Sequence, residues 1–270
     1  MSNGRRNRNR RSAHTAYSMK CGGIKMPEIE ETPKQQDFED PFLAGNWRIE
    51  KAVKRFLKEQ TDANHVAVLC AIKQCIQTNA HLLSPVIIDE SGENFEFRLI
   101  QTDDGKLWQV GFTSQEEFDK GAPSECLSNF MDVTFDACME TDSAGMILNP
   151  WGDMPFTLPM DLIRTLKICM ILEHSNMWIP CKAANNESSG LIPDILQNGE
   201  ELYFPAFSTP EEMGEYGNGF EKIEKAFPEI IQLAKNNEQH PVGIVIDAFT
   251  SPFLLRRELY KLVIDFSKGR

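Results

Sequence analysis

The chain has 270 residues, of which 41% are hydrophobic and 25% charged, and its formal net charge is −12. This is the composition of an ordinary soluble globular protein, long enough for two small domains. No apolar run approaches the length of a transmembrane helix, so no membrane partner is expected. Residues 1–26 carry seven Lys and Arg and no acid, which leaves −19 for residues 27–270 (−12 minus +7). An acidic body argues against a nucleic-acid interface on the folded part, because phosphates would be repelled.

The motifs of common enzymes do not occur in the chain. The five histidines show no HxH or HExxH spacing, and there is no Walker loop, GxGxxG or GxSxG motif. The seven cysteines are odd in number and lack CxxC spacing, which favours reduced thiols in a cytoplasmic protein over disulfides or zinc. We therefore predict no catalytic residue, metal ligand or cofactor. The absence of these motifs favours a protein without enzymatic activity.

Residues 1–45 lack hydrophobic periodicity and are predicted to be a disordered tail that is first basic and then acidic. The basic part is interpreted as a solvated tail that folds back on the acidic body, or as an arm that binds nucleic acid. Met19 offers a second start codon, so the first 18–26 residues are not assigned with certainty to the mature protein. The arginines are Arg5, Arg6, Arg8, Arg10 and Arg11. The acidic residues, which would mask them in cis, are Glu28, Glu30, Glu31, Asp37, Glu39 and Asp40.

Two helices and three strands are predicted next. Asn46 can cap a helix with Ile49 and Val53 on its apolar face, and Thr61 can cap a second one. Strand-like runs follow, which we predict to form one meander. They cover residues 82–89, 95–99 and 107–112.

A segment that closes a strand and opens a helix occurs twice, at residues 110–118 and 205–213. We call residues 112–117 and their repeat 207–212 the two joints. Each joint is predicted to form a capping box. In this motif a hydroxyl accepts a hydrogen bond from a backbone N–H of the first helical turn, and the glutamate three residues later accepts one from the backbone N–H of the capping residue. The predicted caps are Ser114 and Glu117 in the first joint and Thr209 and Glu212 in the second. Phe112 recurs 95 residues later as Phe207, and Pro85 recurs as Pro180 at the same offset.

The remaining elements repeat as well. The first copy continues with a helix near residues 124–139 and an apolar strand at 145–148, which a turn of Asn149, Pro150 and Trp151 ends. The strand recurs at 243–246, offset by 98. For the second copy we predict strands at 177–181, 191–196, 202–207 and 242–246 and helices at 220–235 and 256–266.

The helix predicted at Met160–Leu172 is apolar on more than one side and should be buried between two surfaces. It ends the first copy and stands where the second copy needs its opening helix. The fold class that follows is α+β: two related modules, each a mostly antiparallel sheet with packed helices, joined through this shared central helix. The predicted domains are 46–172 and 160–270.

Phe112-Thr113-Ser114 with Glu116-Glu117, followed by residues 145–150, resembles the N-terminal domain of the SseB family, named for enhanced serine sensitivity. The second copy resembles the related C-terminal domain, with Asp247-Ala248 in place of Asn149-Pro150. The resemblance covers roughly residues 46–266 and implies a bacterial cytoplasmic protein. Members of this family lack an established enzymatic activity.

The turn at residues 149–153 is the best candidate for a binding surface, through Asn149, Pro150, Trp151 and Asp153. An exposed tryptophan often anchors a partner, whereas a structural one would fold back onto its own sheet while Asn149 bonds the turn backbone. The first hypothesis is a non-enzymatic protein-interaction or regulatory protein with an unidentified protein partner. The alternatives are a small-molecule binder or enzyme using the groove between the modules, and nucleic-acid binding by the basic arm.

Overall fold

The structure is a computed structural model that describes residues 40–92, 94–183 and 191–264. These residues form two successive halves that repeat one order of elements. The first half consists of α1 (Trp47–Lys58), α2 (Asp62–Gln77), β1 (His81–Ile88), β2 (Phe95–Phe97), β3 (Leu99–Gln101), β4 (Leu107–Gly111), α3 (Gln115–Asp119), β5 (Glu125–Phe130), α4 (Met131–Met139), β6 (Gly145–Leu148), β7 (Phe156–Pro159) and α5 (Met160–Leu172).

The second half repeats this order without helices equivalent to α1 and α2 of its own. It consists of β8 (Asn176–Ala183), β9 (Leu191–Pro193), β10 (Leu196–Asn198), β11 (Glu201–Ala206), a 3₁₀ helix (Glu211–Gly217), β12 (Glu221–Ala226), α6 (Phe227–Asn236), β13 (Gly243–Ile246), β14 (Phe253–Arg256), a 3₁₀ turn (Arg257–Leu259) and α7 (Tyr260–Val263).

Each half contains two small sheets with matching topology. In the first half, one sheet has the order β2-β1-β5 and the other β3-β4-β6-β7, and in the second half the orders are β9-β8-β12 and β10-β11-β13-β14. All pairs are antiparallel except β4 with β6 and β11 with β13. A single antiparallel bridge links the two sheets of each half, Leu83 to Phe112 and Trp178 to Phe207. The predicted α+β fold with two related modules is confirmed.

Helix α5 lies at the centre of the molecule and has the predicted bounds. It contacts α4, β6 and β7 of the first half and α7 of the second. One hydrophobic cluster runs through both halves and includes Leu166 of α5, Phe135 and Phe204, all fully buried. The assignment of α5 to both domains is an interpretation that these contacts support, and the boundaries 46–172 and 160–270 stay a prediction.

A buried ion pair also connects the halves. Lys73 Nζ of α2 lies 2.7 Å from Glu173 Oε2, directly after α5, and donates a 2.7 Å hydrogen bond to the carbonyl of Leu262 in α7. Both charged side chains are less than a tenth exposed. An unpaired charge there would be costly, so this contact holds α2, α5 and α7 in register.

The helices predicted at 124–139 and 220–235 are wrong in their first parts, because β5 and β12 occupy those residues. Each of these strands pairs with the first long strand of its half, β5 with β1 and β12 with β8. Leu127, Phe130 and Met131 follow helical spacing, which explains the error. These residues form strands because β1 and β8, which are distant in the chain, offer free edges with which they pair.

The structure differs from the sequence prediction at three further points. The runs at 82–89, 95–99 and 107–112 do not form one meander, because the chain changes sheets at Arg98, between β2 and β3. Strands β7 and β14 were not predicted. The last helix begins within one residue of the predicted start near Arg256 but is shorter than predicted: the helical residues are 257–263, Ile264 is not helical, and residues 265 and 266 lie outside the described part.

Candidate functional site

The predicted binding turn lies at the carboxyl end of the parallel strands β4 and β6. Parallel strands end at the same edge of a sheet, so the joint after β4 and residues 149–153 after β6 are neighbours. The backbone N–H of Asn149 donates to the carbonyl of Gly111 at 2.9 Å, and that of Gly152 donates to the carbonyl of Asn149 at 3.1 Å. The predicted turn is confirmed and is fastened to the end of the sheet.

Asn149 ties the turn to the first joint through its side chain. Its Oδ1 accepts from the backbone N–H of Thr113 at 3.0 Å, and its Nδ2 donates to Thr113 Oγ1 at 2.8 Å. Asn149 is 3% exposed and has a φ of 51°, a left-handed conformation that asparagine tolerates better than most residues. The amide therefore bonds to the joint and not to the turn's own backbone.

Helix α1 supports the joint from behind. Thr113 Oγ1 donates to Glu50 Oε1 at 2.6 Å, which leaves its oxygen free to accept from Asn149. Asn46 Nδ2 donates to the carbonyls of Thr113 and His81 at 2.9 and 2.8 Å. The prediction that Asn46 caps α1 is wrong: its side chain makes no cap hydrogen bond, because burial between β1 and the joint directs the amide to those carbonyls.

Trp151 covers the joint while keeping part of its ring in solvent. Its indole stacks on fully buried Phe112, with the ring centroids 5.0 Å apart and the planes 23° apart, and the side chain remains 40% exposed. Phe118 of α3 meets the same Phe112 ring edge-on at 5.3 Å. A Cβ atom at Gly121 would lie 2.4 Å from the indole, so only glycine leaves room for the ring. Of the other predicted residues, Pro150 is half-buried and Asp153 exposed.

The first capping box is only half formed. Ser114 Oγ accepts from the backbone N–H of Glu117 at 3.4 Å, as predicted. The buried carboxylate of Glu117 does not bond back to Ser114, because its Oε1 is paired with Lys120 Nζ at 2.6 Å. This hydrogen bond raises the pKa of Lys120 above its usual value. Glu117 Oε2 lies against Gly152, where a Cβ atom would come within 1.9 Å of it.

The second capping box does not form. Residues 211–217 make a 3₁₀ helix whose N-cap is Pro210, and Thr209 makes no cap hydrogen bond. The helix is kinked at Gly214, which has a φ of 51°. Glu212 Oε2 accepts instead from Thr250 Oγ1 at 2.5 Å. The caps predicted at Thr209 and Glu212 are therefore wrong, because a proline before a kinked 3₁₀ helix leaves no α-helical first turn to cap.

The second half nevertheless reproduces the geometry of the turn. Asp247 has a φ of 49°, and its Oδ1 accepts from the backbone N–H of Ser208 at 2.8 Å, as Asn149 does from Thr113. Phe249 stacks on buried Phe207, with the centroids 6.0 Å apart and the planes 20° apart, and is 53% exposed. Sequence reasoning missed Phe249 and the role of Thr113. The signal for Phe249 was present, since it follows Asp247 at the spacing by which Trp151 follows Asn149.

The sequence predicts no metal ligand and no membrane partner. No group of three or more His, Cys, Asp or Glu in residues 40–92, 94–183 and 191–264 is arranged to hold a metal ion. Across the same residues, no helix is both long enough and apolar enough to cross a bilayer. The arginines at positions 5–11 lie outside the described residues.

The fold and the two turns define an α+β protein of two related modules, each with an aromatic ring stacked over the end of a parallel strand pair. Residues 49–165, from α1 into α5, match the family model described as the SseB protein N-terminal domain. The resemblance inferred from the joint and the turn is thereby confirmed for the first half. Neither the curated proteins nor the solved structures contain a match to the chain.

Proposed function

We propose that the protein is a non-enzymatic protein-interaction or regulatory protein that binds a protein partner through residues 149–153. The observation that carries this proposal is Trp151, whose ring is 40% exposed while its inner face rests on Phe112. Tryptophan is enriched in interface hot spots because it supplies a large apolar face and one hydrogen-bond donor.

The rigidity of the turn supports this role. Asn149 is held by two hydrogen bonds to Thr113, and Thr113 is held in turn by Glu50. A ring that is already fixed in position loses little conformational entropy when a partner covers it. The turn therefore offers a preorganised anchor to a partner.

We also propose that the protein is cytoplasmic. Four buried cysteines, Cys75, Cys138, Cys169 and Cys181, are free thiols. Burial raises the pKa of the Cys169 thiol to about 12, which keeps it protonated and unreactive at neutral pH. Unpaired thiols of this kind suit a reducing compartment.

A photo-crosslinking amino acid at exposed Asp153 of the full-length protein tests the proposal. Partners trapped there should be identified and their affinity for the unlabelled protein measured. Trp151→Ala should weaken that affinity by about 2 kcal/mol or more, or about thirtyfold. Phe249→Ala is the matched control, because it removes an even more exposed stacked ring from the equivalent turn. An affinity unchanged by Trp151→Ala would contradict residues 149–153 as the contact.

A further inference from the structure

A groove of about 510 Å³ opens on the side of the molecule between α1 and α2 and reaches the start of α7. Its floor is made of small side chains of α2, including Ala63, Ala67 and Ala71. Trp47, at the first position of α1, forms one end and is 53% exposed. The groove is distinct from the turn at residues 149–153, and none of the residues lining it belongs to that turn.

The charge of the groove is opposite to that of the body. The residues lining it include Arg48, Lys51, Arg55 and Lys261 and no carboxylate, although residues 27–270 carry a net charge of −19. Within the described ranges, none of these four cations forms an ion pair. The Arg48 guanidinium and the Lys51 ammonium lie 5.0 and 5.8 Å from the centroid of the Trp47 ring. Four unpaired cations around an apolar floor favour an acidic ligand with apolar side chains.

We propose that this groove binds residues 28–39 of the same chain. That segment carries five carboxylates and one lysine, a net charge of −4, and it includes Ile29 and Phe38 for the apolar floor. The described chain begins at Asp40, seven residues before Trp47. Twelve extended residues span about 40 Å, whereas the wall that α1 contributes, from Trp47 to Arg55, is about 12 Å long.

The covalent connection favours this occupant over a separate molecule. A tethered segment acts at an effective concentration in the millimolar range, so even weak charge pairing fills the groove. A nucleic acid would meet the repulsion of the acidic body outside the groove. The acidic residues 28–39 thus have two basic regions of the chain with which to pair, the groove and the arm at positions 5–11.

Zero-length carbodiimide crosslinking of the full-length protein tests the proposal. Lys51 and Lys261 should link to carboxylates of residues 28–39, and a mixture of isotopically light and heavy protein should show that both ends belong to one molecule. Raising the salt concentration from about 0.05 to about 0.5 M should reduce these links at least about fivefold.

Two neighbouring residues of α1 provide a matched pair of variants. Arg55 lines the groove and Lys54 does not, and both are exposed. Arg55→Glu should reduce the links at least about fivefold, and Lys54→Glu should change them less than about twofold. Links between different molecules, no links at all, or equal loss in both variants would overturn the proposal.

A second readout does not depend on crosslinkable carboxylates. In a chain with Glu28, Glu30, Glu31, Asp37 and Glu39 changed to amides, the rate of acylation of Lys51 by a lysine reagent should rise at least about twofold. The rate at Lys54 should stay the same. An unchanged rate at Lys51 would overturn the proposal, and protection of Lys51 only on addition of an RNA oligonucleotide would assign the groove to nucleic acid instead.

Discussion

Asn149 and Thr113, 36 residues apart in the chain, exchange two hydrogen bonds that join the ends of two parallel strands. In the second half Asp247 keeps one of them, as an acceptor from the backbone of Ser208. The positions share a left-handed backbone and an oxygen directed at the joint. The first turn differs from the second in one further hydrogen bond, which Asn149 Nδ2 donates to Thr113 Oγ1.

Asn149→Asp should destabilise the protein. The aspartate could still accept from the backbone of Thr113, but it would set a carboxylate against Thr113 Oγ1, whose proton is already donated to Glu50. Losing a buried hydrogen bond and leaving a charge without a partner should lower the free energy of unfolding by about 1–3 kcal/mol, measured by urea denaturation. The reverse change Asp247→Asn, at a more exposed turn, should cost less than about 1 kcal/mol. Equal effects would show that the donor of Asn149 is unimportant.

Gly121→Ala should displace the indole of Trp151. The added methyl group would lie 2.4 Å from Trp151 Cε3, so the ring must leave Phe112 or the backbone must move. We expect a loss of about 1–3 kcal/mol in the free energy of unfolding and a red shift of tryptophan emission. In a Trp151→Ala background the same substitution should cost almost nothing. If its cost is unchanged there, the strain at Gly121 has another source.

Lys73→Met should destabilise both halves. It would remove the ammonium that pairs with the buried Glu173 carboxylate, leaving the weaker neutral donor Gln77 Nε2 at 3.0 Å, and would remove the donor to the Leu262 carbonyl. Breaking one side of a buried pair costs about 3–5 kcal/mol. The double variant Lys73→Met with Glu173→Leu should recover most of that loss in urea denaturation, since it removes both charges. A double variant as unstable as the single one would argue that packing, and not charge, dominates here.

Leu166→Ala tests whether α5 is a wall common to both modules. Leu166 is fully buried, and removing its side chain should cost about 2–5 kcal/mol. Amide hydrogen exchange should speed up by the same factor in β6 and in β11, because buried residues of both strands belong to the continuous core around α5. Faster exchange in β6 alone would show that the halves unfold separately.

The stability of the protein should fall at alkaline pH. Burial raises the pKa of the Cys75 thiol to about 11 and that of Cys169 to about 12, from an ordinary value of 9.0. The folded state keeps these protons to a higher pH than the unfolded chain does. The stabilisation that the buried neutral thiols contribute is therefore complete below pH 9 and is lost progressively above it. Each thiol should lower the free energy of unfolding by about 1.4 kcal/mol per pH unit between pH 9 and 11. Urea denaturation under reducing conditions should show this slope, and Cys169→Ala should reduce it; an unchanged slope would contradict the assignment.

Local patterns were sufficient for much of the fold. The bounds of α5 and β6 agree with the prediction because a buried helix and a short apolar strand have distinct lengths and periods. Thr61 and Ser114 cap their helices as predicted, since the hydroxyl and the N–H it accepts from are three residues apart.

The sequence by itself determined that one α+β unit occurs twice, and it located the joint and the turn of the candidate site. Only the tertiary structure decided that β5 and β12 are strands, that Asn46 bonds to the joint instead of capping α1, and that Trp151 stacks on Phe112. The physical reason is distance along the chain. Periodicity, caps and turns act between near neighbours, whereas strand pairing, burial and ring stacking depend on which surfaces remain free once distant segments have met.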